Sequence, residues 1–193
     1  DNKVKLIIKD DTGNDVTINY QFIYIEGSLE ITPRPITVKT KDDSKVYDGT
    51  PLFNLMFEII DGTLVLDHEA QISDNTDIIE VGTILNDIDI TIMDGLSADR
   101  SHNYEISYIN GQLEIIPKVI TIQTFSDSKV YDGLIFYNEG HDLIESDLVY
   151  NHKTSVVSRT EITNVEFTDN KIEIIIIDEM GIDKSFNYDI YFE

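Results

Sequence analysis

Cysteine is absent from all 193 residues of the chain. No disulfide can therefore hold the fold, and no thiolate can serve as a nucleophile or a zinc ligand. This absence does not fix the compartment, since some surface proteins avoid disulfides. No run of apolar residues has the length of a membrane span. Asp1 does not begin a signal peptide, so we expect any targeting signal to lie outside this sequence.

Basic residues are also scarce, with 14 Lys and Arg against 37 Asp and Glu and a net charge of −23. Binding to phosphates requires clustered Lys and Arg, so nucleic acid is not expected as a partner. An anionic membrane surface is disfavoured for the same reason, and we expect no direct insertion into a membrane. The charge favours a solvated, self-repelling surface that keeps an extended protein soluble. Binding of divalent cations or basic partners is the alternative.

The chain contains an internal repeat. The six residues Ser44–Gly49 recur unchanged as Ser128–Gly133, which is 84 residues later. The pairs Asn19-Tyr20, Asn103-Tyr104 and Asn187-Tyr188 keep the same step. This regular spacing indicates a tandem array. A period of about 84 residues is long enough for each unit to bury its own core, which favours separately folded domains over a solenoid.

The repeat divides the chain into three parts. Residues 1–33 match the C-terminal part of a preceding repeat, and residues 34–117 form one complete repeat. Residues 118–193 form a second repeat, which stops before its counterpart of Gln112–Pro117 and so lacks its last strand. The neighbouring repeats of the same chain are therefore expected partners for one another.

Apolar residues alternate with polar ones in the last third of each repeat. In the complete repeat, Ile88, Ile90 and Ile92 are spaced by two, as are Tyr104, Ile106 and Tyr108. This period predicts β-strands that face a core. The other copies keep the same parity at Val4, Leu6, Ile8, Tyr20, Phe22, Tyr24, Ile172, Ile174, Ile176, Tyr188, Ile190 and Phe192.

Further strands are predicted on weaker patterns, and no segment has a helical stripe. Asn110-Gly111 is a two-residue hairpin signal before the strand Leu113–Ile116. An opening strand is predicted at Ile36 and Val38, and less regular ones at Phe57–Ile60, Leu64–Leu66 and Ile78–Val81. The sequence therefore predicts an all-β fold, made of tandem β-sandwich-like (Ig-like or β-grasp-like) domains of about 84 residues arranged end to end.

Two motifs resemble known families. Ser-Lys-Val-Tyr-Asp-Gly-Thr-Pro-Leu at 44–52 resembles the signature of the YDG domain, and the run 103–117 resembles the ending of MBG-type repeats. Leu134-Ile135-Phe136 departs from the pattern of Thr50-Pro51-Leu52 in the second repeat. The resemblance implies an adhesin-like repeat of a bacterial cell-surface, wall-attached or secreted protein. It implies an extracellular location and supplies no catalytic residues, so we do not expect an enzyme.

The repeated motif has two interpretations. It can form a loop that presents an aromatic ring and a carboxylate to a ligand, or it can form a structural turn. The turn is favoured, because glycine supplies positive φ and aspartate bonds local backbone. A Lys–Asn isopeptide bond from Lys45 or Lys129 to Asn103 or Asn187 is a further, less favoured alternative. The motif residues are Lys45, Tyr47, Asp48, Gly49, Lys129, Tyr131, Asp132 and Gly133.

Acidic turns are the best metal candidates, because calcium prefers several hard oxygen ligands. The EF-hand spacing is absent, and hairpin-turn chemistry explains all copies, so we predict no cofactor and keep calcium as the alternative. Among four histidines only His68 and His152 share the 84-residue register, and no catalytic arrangement is visible. The calcium candidates are Asp10, Asp15, Asp94, Asp99, Asp178 and Asp183.

Two functions are consistent with these patterns. The first is a stalk or spacer that projects an adhesive region from a bacterial surface. The second is multivalent binding of a host protein or glycan by the repeats themselves. Binding would involve the divergent loops Ser73–Glu80 and Val157–Asn164, or the aromatic residues Phe136, Tyr137 and Tyr150.

Overall fold

A computed structural model describes residues 4–193 of the chain. This part of the chain consists of short strands and three 3₁₀ turns, and the predicted all-β fold is confirmed. None of its helical turns is long and apolar enough to cross a membrane. The turns are Thr17–Asn19, Ser101–Asn103 and Ser185–Asn187. The strands are β1 (Arg34–Thr40), β2 (Asp43–Val46), β3 (Phe57–Asp61), β4 (Glu69–Asn75), β5 (Gly82–Asn86), β6 (Ile88–Met93), β7 (Tyr104–Ile109), β8 (Gly111–Ile116), β9 (Lys118–Thr124), β10 (His141–Leu143), β11 (Lys153–Arg159), β12 (Ile172–Ile177) and β13 (Tyr188–Phe192).

Two sheets of the first repeat share one core. One sheet has the order β3-β1-β7, with β1 and β7 parallel, and the other pairs β4 with β6 antiparallel. Their inward residues follow the period of two predicted from the sequence, since successive side chains of a strand point to opposite faces. The buried members of this first core are Ile36, Val38, Ile88, Ile90, Ile92 and Tyr104.

The closing strand β8 belongs to a third sheet, with the order β2-β8-β5. It runs parallel to β2 and antiparallel to β5. Only Asn110 separates it from β7, which lies in a different sheet, so the predicted Asn110-Gly111 hairpin is wrong. Gly111 is required there, because a Cβ would lie 2.6 Å from the backbone carbonyl carbon of Lys41. The chain crosses between sheets at this point instead of turning back.

The second repeat rebuilds the first two sheets and not the third. Its sheets are β10-β9-β13 and β11-β12, the counterparts of β3-β1-β7 and β4-β6. The segments equivalent to β2 and β5, residues 127–130 and 166–170, are not strands. In the first repeat those two strands pair only with β8, and no counterpart of β8 is present in the second repeat. Without the central strand, neither edge strand has a hydrogen-bonding partner.

A second core crosses the boundary between the repeats. Leu113 and Ile115 of β8 pack in one cluster with Ile120 and Ile122 of β9. Tyr47 and Leu52 of the first repeat and Ile176 and Tyr188 of the second complete the buried set. The sequence repeats and the hydrophobic cores therefore do not share boundaries.

The strands predicted in the first segment are absent. Residues 4–8 and 20–24 form no strand, and Val4, Leu6 and Tyr20 are exposed. The equivalents β6 and β7 pair with β4 and β1 of their own repeat, and residues 4–33 have no such partners. The alternation is right for the repeat but cannot form a sheet alone, because strand stability comes from pairing and burial.

Several weaker strand predictions also need correction. The prediction at Phe57–Ile60 is confirmed by β3, but Leu64–Leu66 forms no strand. Ile78 makes only an isolated bridge with Leu52, and the strands β4 and β5 lie on either side of it. These short strands carry Asp, Gln and Asn between their apolar positions, which hides their period.

A buried asparagine ties three sheet segments together. Asn86 is fully buried, and its Nδ2 donates to Lys41 O at 2.8 Å and to Asn54 O at 3.0 Å. Thr40 Oγ1 donates to Asn86 O at 2.7 Å and accepts from Gly111 N at 2.8 Å. β1, β5 and β8 are thus joined by one hydrogen-bonded chain, as buried polar groups require.

We expect Asn86→Ala to lower the free energy of unfolding by about 1–3 kcal/mol, because it leaves buried carbonyl groups without donors. The matched control is Asn170→Ala, at the equivalent position of the second repeat. Asn170 Nδ2 donates to Phe125 O at 2.9 Å in a half-buried site, so its loss should cost less. Urea unfolding of both variants measures the difference, and equal costs would contradict the role of burial.

Candidate functional site at the joint between the repeats

The repeated motif lies where the first repeat meets the second. We call this contact the joint. Its two sides come from segments far apart in sequence, which the folding of the second core brings together. The first repeat contributes Tyr47, Gly49, Glu80 and Val81, and the second contributes Val149, His152, Lys184, Asn187 and Tyr188.

A lysine and an aspartate form the turn that carries the motif. Lys45 Nζ donates to Asp48 Oδ1 at 2.7 Å and to Thr50 O at 2.7 Å. Asp48 Oδ1 also accepts from Thr50 N at 2.9 Å, and Gly49 has a φ of 77°. The hydrogen bond from Lys45 lowers the pKa of Asp48 to about 2, so the carboxylate is charged under ordinary conditions. The turn chemistry expected from the sequence is present.

The turn inserts Tyr47 into the neighbouring repeat. Its side chain is 3% exposed, and its ring meets the ring of Tyr188 edge-on with centroids 5.6 Å apart. Such edge-to-face pairs are favourable beyond the area that they bury. Burial, together with the negative charge of Glu80, raises the pKa of the Tyr47 hydroxyl to about 12. Tyr47 acts here as a neutral aromatic anchor.

The pocket that receives Tyr47 is held by a tyrosine–histidine pair. Tyr188 Oη accepts from Val149 N at 3.1 Å and lies 2.7 Å from His152 Nδ1. Burial lowers the pKa of His152, so the neutral imidazole accepts the Tyr188 proton at Nδ1. His68 and Tyr104 repeat this pair at 2.7 Å, which explains the register shared by the two histidines.

A polar clamp lies beside the aromatic contact. Lys184 Nζ donates to Glu80 Oε1 at 2.6 Å, and Asn187 Nδ2 donates to Glu80 Oε2. Val81 N donates in return to Asn187 Oδ1 at 2.8 Å, so this fully buried amide is bonded across the joint at both ends. Burial alone would raise the pKa of Glu80, but the donors Lys184 and Asn187 outweigh it and the pKa is lowered. The clamp fixes orientation where the aromatic contact supplies burial.

The clamp is not arranged for covalent chemistry. The hydrogen bond to Glu80 raises the pKa of Lys184, so its amine stays protonated and is a poor nucleophile. The isopeptide alternative paired Lys45 or Lys129 with Asn103 or Asn187. In the described residues the Nζ atoms of both lysines bond within their own turns, and the Asn187 side chain bonds Glu80 and Val81.

The second copy of the motif has the same turn and no neighbour. Lys129 Nζ donates to Asp132 Oδ1 at 2.7 Å, and Gly133 has a φ of 80°. Tyr131, however, is 62% exposed. On the other side of the joint, Asn103 is exposed where Asn187 is buried. The turn forms without the neighbouring repeat, and burial of its tyrosine needs that repeat.

The six candidate calcium ligands serve as turn acceptors. Asp10, Asp94 and Asp178 each accept backbone N–H bonds from residues two and four positions later. Asp15, Asp99 and Asp183 each accept from the residue two positions later. Within residues 4–193, no cluster of three or more His, Cys, Asp or Glu side chains is arranged to hold a metal ion. Hairpin-turn chemistry accounts for these aspartates.

The aromatic residues proposed for ligand binding do not form one surface. Phe136 bridges Ile162 through the backbone and lies 5.6 Å from Lys129 Nζ. Arg159 stacks over the Tyr137 ring at 3.5 Å, whereas Tyr150 projects into solvent. The divergent loop Ser73–Glu80 ends in the joint through Glu80. The loops are thus used for packing between repeats in the first copy.

Comparison with known proteins identifies no relative. No protein-family model matches the chain, and neither a similar curated protein nor a similar solved structure was found. The resemblance to YDG and MBG repeats therefore stays a prediction. The geometry of the joint and the repeat itself are the observations on which a function can be built.

Sequence reasoning identified the motif but not its partners. Tyr188 and Asn187 were predicted as markers of the repeat, and their contact with Tyr47 and Glu80 was not foreseen. The shared register of His68 and His152 was the available signal for the pocket. No local pattern indicates Glu80, because its counterpart in the second repeat is Asn164.

We expect Tyr47→Ala to destabilise the second core by about 3–5 kcal/mol, as removal of a buried aromatic side chain does. Tyr131→Ala is the matched control, because it changes the same residue in the same turn without a neighbouring repeat. At low protein concentration its cost should stay within about 0.5 kcal/mol. Thermal unfolding monitored by tyrosine fluorescence measures both, and equal destabilisation would contradict burial by the next repeat.

We expect calcium to leave the melting temperature unchanged, because the six aspartates already accept turn hydrogen bonds. Ligand linkage would raise the melting temperature if calcium bound the folded state. Melting should be compared in chelator, in millimolar calcium and in magnesium at the same concentration. Magnesium controls for screening of the acidic surface, and a rise specific to calcium would establish a site.

Proposed function

We propose that the chain is a repeat segment of a bacterial extracellular surface protein and acts as a stalk or spacer that projects an adhesive region. The observation that carries this proposal is the burial of Tyr47 by the next repeat. An identical motif that serves to lock one repeat onto another has a mechanical role. In this proposal the tandem, β-sandwich-like units stand end to end, and the distance they span is the function.

The connection between the repeats supports a stiff joint. β8 ends at Ile116 and β9 begins at Lys118, so Pro117 alone links the two strands. Proline fixes its own φ and favours extended backbone before it. Bending at this point would also expose Tyr47 and separate Glu80 from Lys184. Covalent connection, aromatic burial and the polar clamp therefore resist the same motion.

The acidic composition suits such a role. Like charges along an extended array repel, which favours separation of neighbouring molecules and keeps the array soluble. No catalytic group is needed for this function, and the turn-forming aspartates require no metal. The resemblance to YDG and MBG repeats supports a location at or beyond the cell surface.

We expect small-angle scattering at low protein concentration to give an elongated particle. A compact globule of this length has a radius of gyration of about 16 Å, and the value for the chain should be clearly larger. Tyr47→Ala combined with Glu80→Gln should broaden the distance distribution, because both contacts of the joint are weakened. Tyr131→Ala is the control that should leave the distribution unchanged. A globule-like radius for the unmodified chain would overturn the stalk proposal.

Multivalent binding of a host protein or glycan is the alternative function. The exposure of Tyr150 and Val157 in the second repeat is the observation that favours it. Exchange of the whole loop Ser73–Glu80 is a poor test, since it also removes Glu80 from the joint. Binding that follows exchange of residues 157–164 while the scattering curve stays unchanged would favour recognition by the repeats over a spacer.

A further inference from the structure

The second repeat contains an open groove where the first repeat holds its closing strand. In the first repeat β8 lies between β2 and β5. The equivalent segments 127–130 and 166–170 flank a hollow, and no strand lies between them in the described chain. Its rim carries the exposed apolar side chains of Tyr131, Val165 and Phe167. An exposed apolar groove with two unpaired backbone edges is a site for strand addition.

The base of this groove is already built for a strand. Thr124 Oγ1 donates to Asn170 O at 2.9 Å, as Thr40 Oγ1 does to Asn86 O in the first repeat. Thr40 Oγ1 also accepts the backbone N–H of the first residue of β8, Gly111. Thr124 thus presents the hydroxyl that would receive the first N–H of an added strand.

A matching strand exists at the other end of the same chain. Residues 27–32 read Gly-Ser-Leu-Glu-Ile-Thr, and residues 111–116 read Gly-Gln-Leu-Glu-Ile-Ile, so four of six are identical. Leu29 is 79% exposed and Ile31 is 98% exposed, whereas their counterparts in β8 are buried. Gly27 keeps the glycine that the close backbone approach at Gly111 requires.

We propose that residues 27–32 of one copy of the chain insert as a β-strand into the open groove of a second copy. The pairing of β8 specifies the register. Leu29 would lie beside Asp127 of the parallel edge and opposite Thr168 of the antiparallel edge, as Leu113 does with Asp43 and Ile84. Leu29 and Ile31 would then fill the apolar side of the groove, and Glu30 would face solvent like Glu114.

The strand must come from a second copy because the connection after it is short. Pro33 alone separates residue 32 from β1, as Pro117 alone separates β8 from β9. An inserted strand therefore places its own first repeat directly against the groove. Within one chain that position lies beyond the second repeat, which follows the first, so a chain cannot close on itself without unfolding a repeat.

The same docking would complete a second joint. The donor's first repeat would bring its His68–Tyr104 pair to the acceptor's exposed Tyr131, as His152–Tyr188 meets Tyr47. The surfaces differ on the two partners, so the contact is head-to-tail and leaves a free strand and a free groove at the ends. Because each chain is strongly acidic, association should increase with salt, which screens repulsion between the copies. The association does not require that the repeats act as a stalk.

The test is analytical ultracentrifugation of the full chain over a range of concentrations and salt. The unmodified chain should form dimers and longer species that increase with both. Leu29→Asp should abolish them, because it places a charge in the apolar groove. The matched control Glu30→Gln, at the neighbouring solvent-facing position, should preserve them. Both residues are exposed in the single chain, so neither change should alter its unfolding.

Complementation separates donor from acceptor. Tyr131→Asp should also give a monomer, since it damages only the receiving side of the interface. An equimolar mixture of Leu29→Asp and Tyr131→Asp retains one intact strand and one intact groove, and it should form a 1:1 dimer that grows no further. A mixture that stays monomeric, or association that survives Leu29→Asp, would overturn the proposal.

A disulfide reports the register. Cross-strand partners have Cβ atoms about 4.5–5.5 Å apart, close to the span of a disulfide. Ser28 should pair with Asp169, as Gln112 pairs with Leu85. Because the chain has no cysteine of its own, oxidation of mixed Ser28→Cys and Asp169→Cys chains should give a heterodimer on a non-reducing gel. A double variant that cross-links only within one chain would show self-closure and reject the second copy as the partner.

Discussion

The structure depends on one central strand, β8. It supplies the only hydrogen-bonding partner of both β2 and β5, and its inward side chains Leu113 and Ile115 form part of the second core. Where this strand is absent, in the second repeat, three strands are lost together although most of the sequence that encodes two of them is present. Sheet formation is cooperative in this way because each edge strand has backbone groups that only the central strand can satisfy.

The position of β8 also explains how the repeats communicate. It ends one residue before β9, so the strand that completes one repeat leads straight into the next. The core on its inner face is shared by both repeats, and Tyr47 is buried by residues of the following unit. A repeat of this kind is not an independent bead. Its stability and orientation depend on a neighbour, which is the property of a stiff array rather than of domains on a flexible string.

The acidic residues divide into two groups by environment. Those in the three hairpin turns, such as Asp94, accept local backbone bonds, and the hydrogen bond from Ala98 is the main reason that the pKa of Asp94 falls to about 2. Glu80 instead accepts from Lys184 and Asn187 across the joint. Composition shows only a large negative charge. Position decides whether a carboxylate shapes a turn, orients two repeats or is merely solvated.

The sequence by itself determined the period of 84 residues, the all-β class, the strands with clear alternation and the turn at Tyr47-Asp48-Gly49. These properties follow from local side-chain patterns and from glycine conformation, which need no distant partner. Only the tertiary structure decided that β7 and β8 lie in different sheets, that residues 4–33 form no strand, and that Tyr47 is buried by Tyr188. Those outcomes depend on which backbone edges find partners and which apolar faces meet, and such contacts join residues far apart in the chain.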